Sequence, residues 1–335
     1  MAHVQTVLGP VDPADLGRVL PHEHLISLVP GPWLSGGTVD DPVEVAVSAL
    51  AGIGRLGFGT VVDLSPYGVV GRDAQGHSLG LLQEIARRTG VHIVAGASVY
   101  LEPYSPQWAL EADLDTMHAR FVADATEGVG DSGVRVGILG EQATGLDEIT
   151  AHEEKCLRAA ARAARDTGLA LNTHTTHGTM ALEQVAILRE EGMDLTRVVI
   201  GHMDIHPDLT YVKQVLDTGV SVAFDTIGKQ FWDFVLAPTP PDPPEGEFEK
   251  RAYYRSDRSR ARGLAQLVAD GYADRILLSL DMTGAEVYLN GTTHGQSGYS
   301  YLGQTFVPMA RELGVSDKAL EQMLAVNPAR LLTLS

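Results

Sequence analysis

Short runs of aliphatic and β-branched residues recur along this chain from Arg18 to Leu280, separated by longer stretches whose apolar positions repeat every three to four residues. The short runs, with Gly or Asp close by, read as strands; the longer ones read as helices with one buried face. Strands are expected from Arg18 through His24, then at Gly59–Leu64, Val91–Val99, Val134–Leu139, Leu169–Thr173, Arg197–Gly201, Val220–Phe224 and Arg275–Leu280. Helices are expected between them at Val43–Leu56, Leu79–Arg88, Leu110–Ala125, Asp147–Thr167, Met180–Glu191, Leu209–Thr218 and Arg258–Asp270, with a last short helix over Asn327–Ser335.

Strands that alternate with helices pair in parallel through crossovers, and eight such units close into a (β/α)8 barrel. The expectation is an α/β protein with one barrel domain over residues 1–335. A doubly wound open sheet is the alternative. It usually carries a Gly-rich phosphate loop after an early strand, and none is visible. One stretch breaks the rhythm: Lys229 to Ser256 contains Pro238-Thr239-Pro240-Pro241-Asp242-Pro243-Pro244 and then a glutamate-rich run. Dense proline excludes regular helix or central strand. The stretch reads as a loop insertion after the seventh strand, a cap or lid at the end where a barrel carries its active-site loops.

Composition narrows the classes. The chain has 335 residues, 44% hydrophobic and 20% charged, which suits a large core and not wholesale disorder. Its 43 acidic and 25 basic residues give a formal charge of -18. Such a surface repels phosphate backbones and anionic membranes, so a nucleic-acid or membrane partner is not expected. The single cysteine, Cys156, excludes an internal disulfide and fits a cytoplasmic setting. No apolar stretch reaches the length of a membrane span, and no signal-peptide pattern opens the chain.

The chemistry gathers at strand ends. In Leu20-Pro21-His22-Glu23-His24 two imidazoles alternate on one strand, so they share a face and can share a metal ion. The fourth strand runs into Glu141, the fifth into His174, the sixth into His202 and the eighth into Asp281. A lone His at a strand end is more often a hydrogen-bonded structural residue, and a lone Asp more often a helix cap. Five coincident strand ends point to a metal centre, because barrel active sites lie at the C-terminal ends of the strands. Four imidazoles and two carboxylates exceed one tetrahedral ion, so two divalent ions are expected. Nitrogen and oxygen donors without thiolate suit zinc first, and also manganese, cobalt or iron(II).

With these segments in view the chain resembles the phosphotriesterase-like family of the amidohydrolase superfamily. The resemblance rests on Leu20-Pro21-His22-Glu23-His24, Gly201-His202-Met203-Asp204, Leu278-Ser279-Leu280-Asp281 and Asn327-Pro328-Ala329-Arg330, with Tyr299–Leu302 and Thr305–Pro308 in support. It implies that His22, His24 and Asp281 hold one ion and that His174 and His202 hold the other. Several members bridge the ions with a carboxylated lysine. Glu141 stands at that position, which implies the glutamate-bridged subset and casts doubt on organophosphate hydrolysis as the natural activity. The resemblance also implies a lactone or other carboxylic ester as substrate, and a homodimer.

The mechanism expected of such a centre uses a hydroxide bridging two ions, with Asp281 taking the attacking proton and passing it to the leaving group. Asp204 and Asp225 are placed to orient ligands or relay the proton. Tyr100, at the end of the third strand, is a candidate substrate contact. Lys229, Arg255 and Arg260 form a candidate clamp for a phosphate or carboxylate on a small-molecule substrate, since fork-shaped donors suit that geometry. Amide or N-acyl hydrolysis and phosphotriester hydrolysis are the alternatives on the same site. A non-catalytic small-molecule receptor on the same scaffold would show a missing ligand, and none is missing.

Overall fold

The computed structural model describes residues 2–27, 41–229, 256–283 and 298–335. Arg255 and nearly all of the Pro-rich insertion expected at 229–256 lie outside the described residues.

A hairpin opens the chain: β1 (Val4–Thr6) and β2 (Gly9–Val11) pair antiparallel. Eight strands follow, β3 (Arg18–Glu23), β4 (Phe58–Asp63), β5 (His92–Ala97), β6 (Ile138–Thr144), β7 (Leu171–Thr175), β8 (Val198–Ile200), β9 (Ser221–Phe224) and β10 (Ile276–Leu278). Each pairs in parallel with its neighbour in chain order, from β3 to β10. The last returns to the first: Asp281 N–H donates to His22 O at 3.0 Å, and His24 N–H donates to Met282 O at 3.0 Å. The sheet therefore closes as the (β/α)8 barrel that the alternation predicts.

The expected helices form, two of them divided, and the structure adds helices at Val307–Glu312 and Asp317–Glu321 before the last one, Asn327–Leu332. The first, α1, stops at Pro42–Ala49, and a short 3-10 turn over Ile53–Leu56 follows, because Gly52 adopts a left-handed φ of 90° between them. The stretch Leu110–Ala125 divides into a short helix Gln107–Glu111 and a longer one Leu114–Thr126, where Asp113 caps the second by accepting from Thr116 N–H. The long Ala151–Thr167 helix starts at a capping box of Thr150 and Glu153. Among the described residues no helix is long and apolar enough to cross a membrane.

Alternation along the strands sorts the core into two parts. Val19, Val62, Val94, Ile138, Ala170, Val199, Ala223 and Leu277 form an interior cluster, which Val4, Leu16, Leu331 and Leu332 complete at the N-terminal end of the barrel. Their sequence neighbours Leu20, Val61, Ile93, Leu139, Leu171, Ile200, Val222 and Leu278 face the surrounding helices. Each buried aliphatic side chain contributes about 1.5–3 kcal/mol. The interior is thus a packed plug, and the site sits above it.

Candidate metal centre

Two strands reach the site only by breaking their own alternation. On β3, Leu20 pairs with Val61 of β4 while Glu23 pairs with Asp63, so β3 carries one extra residue. Val19 faces the interior, and regular alternation would turn His22 outward. The bulge inverts the faces: His22 and His24 point in, and Glu23 points out beside Asp63. On β6, Leu139 pairs with Leu171 of β7 while Gln142 pairs with Thr173, again one residue extra. That bulge turns Glu141 into the interior. A Cβ at Gly96 on β5 would lie 2.4 Å from Gly140 O, so only glycine fits beside this bulge. On β7 the alternation is unbroken from Ala170 through Asn172 to His174. The sequence places Glu141 just past a strand over Val134–Leu139; the structure instead places it inside a strand that runs from Ile138 to Thr144.

The six expected ligands converge. Glu141 is buried among four imidazoles: its Oε2 lies 3.3 Å from His22 Nε2, 3.1 Å from His174 Nδ1 and 3.6 Å from His202 Nε2, and its Oε1 lies 3.4 Å from His24 Nε2. Asp281 Oδ1 lies 2.9 Å from His24 Nε2 and 3.6 Å from His22 Nε2. His22, His24 and Glu141 form one group that could hold a cation; Glu141, His174 and His202 form a second, sharing Glu141.

Asp225 lies on the other side of two of these rings. Its Oδ2 is 2.7 Å from His22 Nδ1 and its Oδ1 is 2.9 Å from His202 Nδ1. One carboxylate therefore fixes a ring from each group and turns both Nε2 atoms toward Glu141. These three residues also meet the spacing of a cation site. The hydrogen-bond reading is preferable, because Asp225 also accepts from His202 N–H at 2.8 Å. His202 has a φ of 59° and Asp281 a φ of 50°, left-handed conformations that cost about 1–3 kcal/mol for residues with a side chain.

Charge in the cluster is strongly coupled. Burial opposes charging His202, but Asp225 and Glu141 outweigh it and raise its pKa to about 10. His22 is likewise raised by Glu141 and Asp225 against burial. Burial, and then His202, lower His174. Asp281 is lowered despite burial, chiefly by the Lys229 ammonium and then by His24. Buried carboxylates that draw protons onto imidazoles are the arrangement a divalent cation satisfies instead. The residues fit such ions in two further ways. His22 Nε2 is buried without a hydrogen-bond partner among the described residues, and it faces Glu141 and Asp281. His202 Nε2 and His174 Nδ1 approach to 2.8 Å, two ring nitrogens aimed at one place.

The remaining expected residues divide. Tyr100 reaches the site, its hydroxyl 3.4 Å from His174 Nε2 and its ring edge-on to that imidazole at 4.9 Å. Lys229 reaches it too, with Nζ 2.6 Å from Asp281 Oδ2. Arg260 does not suit the expected clamp. Its guanidinium is buried and donates to Asp204 Oδ2 at 2.7 Å, Asp257 Oδ1 at 2.9 Å, Thr226 Oγ1 at 3.1 Å and Lys229 O at 3.0 Å. A fork so fully engaged braces the β9 turn rather than gripping substrate. Asp204 in turn accepts from Asp225 N–H at 3.3 Å, so it supports the residue that fixes the rings.

The sequence reading does not anticipate a further set of supports. Ser65 Oγ lies 3.1 Å from His24 Nδ1. Gln184 donates to His174 O at 2.8 Å. Asp63 accepts from Leu25 N–H at 2.8 Å and from the guanidinium of buried Arg72 at 3.0 Å. A signal for Asp63 exists, an Asp closing an apolar strand run, but its direction depends on the bulge in β3.

Known proteins share this architecture and about three residues in ten of the sequence. The phosphotriesterase homology protein of Escherichia coli is 32% identical over 261 residues, 78% of this chain and 79% of its own length. An N-acetyltaurine hydrolase of Dictyostelium discoideum is 30% identical over 295 residues, 87% of this chain and 74% of its own. The crystal structure of a PTE-like lactonase variant from Deinococcus radiodurans superposes with a TM-score of 0.82 at 29% identity, covering 98% of this chain and 99% of that one. The profile of the Phosphotriesterase family matches residues 2–332, and the chain belongs to that family of hydrolases.

Proposed function

We propose that this protein is a binuclear metal-dependent hydrolase that cleaves a small molecule at a carboxyl carbon, in an ester or lactone. The observation behind this reading is the convergence of His22, His24, Glu141, His174, His202 and Asp281 on one point above the interior plug. His22, His24 and Asp281 would hold one ion, His174 and His202 the other, with Glu141 between them; zinc suits the donors, as do manganese, cobalt and iron(II). When bound, such ions acidify water and polarise an acyl oxygen. Asp281 accepts the proton released by attack and returns it to the departing oxygen or nitrogen. Lys229, against Asp281 Oδ2, keeps that carboxylate ionised before attack and offers a positive charge at the mouth. Tyr100 borders the substrate beside His174.

The N-acetyltaurine hydrolases among the relatives favour a second reading, cleavage of an N-acyl amide. Both readings require the same attack at a carboxyl carbon and differ in the leaving atom. The phosphotriesterase activity in the family's name is a third use of the same nucleophile. A hydrolysis screen separates them: metal-loaded protein is offered lactones, linear esters, N-acyl amides and phosphotriesters. The expected result is highest kcat/KM on a lactone or ester. A preference for amides transfers the assignment to the second reading, and absence of hydrolysis in every class overturns both.

A further inference from the structure

The seam that closes the barrel carries one of the expected ligands. Regular pairing of β10 ends at Leu278, three residues before Asp281. Across this seam, backbone bonds link Asp281 N–H to His22 O and His24 N–H to Met282 O, both at 3.0 Å. Side chains add further links. Glu23, turned outward by the β3 bulge, is fully buried. Its Oε1 accepts from Leu280 N–H at 3.0 Å and from Ser279 Oγ at 2.7 Å, and its Oε2 accepts from Met282 N–H at 2.8 Å. The two N–H groups flank Asp281. One carboxylate thus grips the peptide on both sides of a residue held in a left-handed conformation. Ser279 Oγ also accepts from His22 N–H at 3.0 Å, which ties the clasp back to the first ligand.

We propose that Glu23 is a positioning residue that sets Asp281 against His22 and His24, and so builds one of the two cation pockets without touching a cation. The proposal rests on the binuclear reading above. The second pocket has anchors that do not run through Glu23: Asp225, which it shares with His22, on His202, and Gln184 on the carbonyl of His174. Loss of Glu23 therefore loosens one pocket and spares the other. Removing a support of this kind costs about 10–100-fold in metal affinity.

The test is metal retention by wild type, Glu23→Ala and Glu23→Gln. Each is loaded with zinc, challenged with chelators of graded strength, and assayed for ions per chain; circular dichroism checks the fold. Wild type retains two ions. Glu23→Ala releases one of them at chelator strengths about 10–100-fold weaker. Glu23→Gln keeps the volume but loses one acceptor, and falls between. Activity of Glu23→Ala returns as free zinc is raised, which a damaged fold would not allow. Retention of both ions by both variants at wild-type affinity overturns the proposal, as does parallel loss of both ions. Should Glu23→Ala fail to fold, Glu23→Gln decides alone by the same criterion. A wild type that binds no ion overturns the binuclear reading and this proposal with it; two ions in wild type with unchanged variants overturn this proposal only.

Discussion

The lower and upper halves of the barrel interior are made from the same strands by opposite rules. Below, Val19, Val62, Val94, Ile138, Val199, Ala223 and Leu277 follow the two-residue period and bury one another. Above, the same strands place imidazoles and carboxylates at similar depth, and every position there needs a partner to offset desolvation. Two strands leave the period at the boundary between the halves, and two ligands take left-handed backbone. The lower half therefore contributes stability without chemistry. The upper half holds a geometry that its own backbone does not favour, and its supports, Asp225, Asp63 and Glu23, maintain it.

Substitutions that act on one half only will break or sharpen that contrast. The largest effect belongs to the upper half. Asp281→Asn keeps a metal-binding oxygen but removes the proton acceptor, so kcat is expected to fall about 10²–10⁴-fold while most of the metal stays bound. Steady-state kinetics with metal analysis of the same sample check it. Unchanged turnover removes Asp281 from the proton path.

Next comes the lower half. Leu331 is buried in the interior cluster at the end away from the site. Leu331→Ala leaves a cavity and is expected to lower the unfolding free energy by about 2–5 kcal/mol. Denaturant midpoints read this directly. The kcat of the metal-loaded protein should stay within about two-fold, since among the described residues none of Asp225, Asp63 and Glu23 is hydrogen-bonded to the helix Asn327–Leu332 that carries Leu331. A large loss of kcat would show that the two halves are not independent.

Asp225→Asn probes the supports. The two rings sit on different oxygens of Asp225, and an amide keeps only one of them, so one ring loses its acceptor. Metal affinity is expected to drop about 10–100-fold, read by chelator competition. The stability of the metal-free protein should change less than in Leu331→Ala.

This division also explains what could be read from the sequence. The apolar runs and helical periods of the lower half are local patterns, and seven of the eight strands emerge from them within two residues, while β6 lies four to five residues later than its apolar run. The ligands are legible as well, because His and Asp at strand ends are conspicuous against aliphatic runs. Their supports are not. Whether Glu23 faces in or out depends on a bulge set by pairing with a strand some forty residues away. Arg260 looks like any charge on a helix, and only the tertiary fold buries it against Asp204 and Asp257. Side-chain direction at a bulge and the partner of a buried charge are long-range properties, and a short window of sequence does not contain them.

The smallest expected effect tests the border between support and substrate contact. His174 presents Nδ1 to Glu141 and His202, so its Nε2 is left to the Tyr100 hydroxyl at 3.4 Å and Thr176 Oγ1 at 3.5 Å. Tyr100→Phe deletes the hydroxyl and keeps the ring against the imidazole. A net hydrogen bond is worth about 0.5–1.5 kcal/mol, so kcat/KM is expected to fall about two- to ten-fold. The split between constants identifies the role. If the hydroxyl meets substrate, KM rises and metal retention is unchanged. If it steadies His174, metal retention weakens and KM stays put. An effect beyond about a hundred-fold on kcat alone would exceed a neutral hydrogen bond, and would place Tyr100 with Asp281 among the groups that act on the reacting atoms.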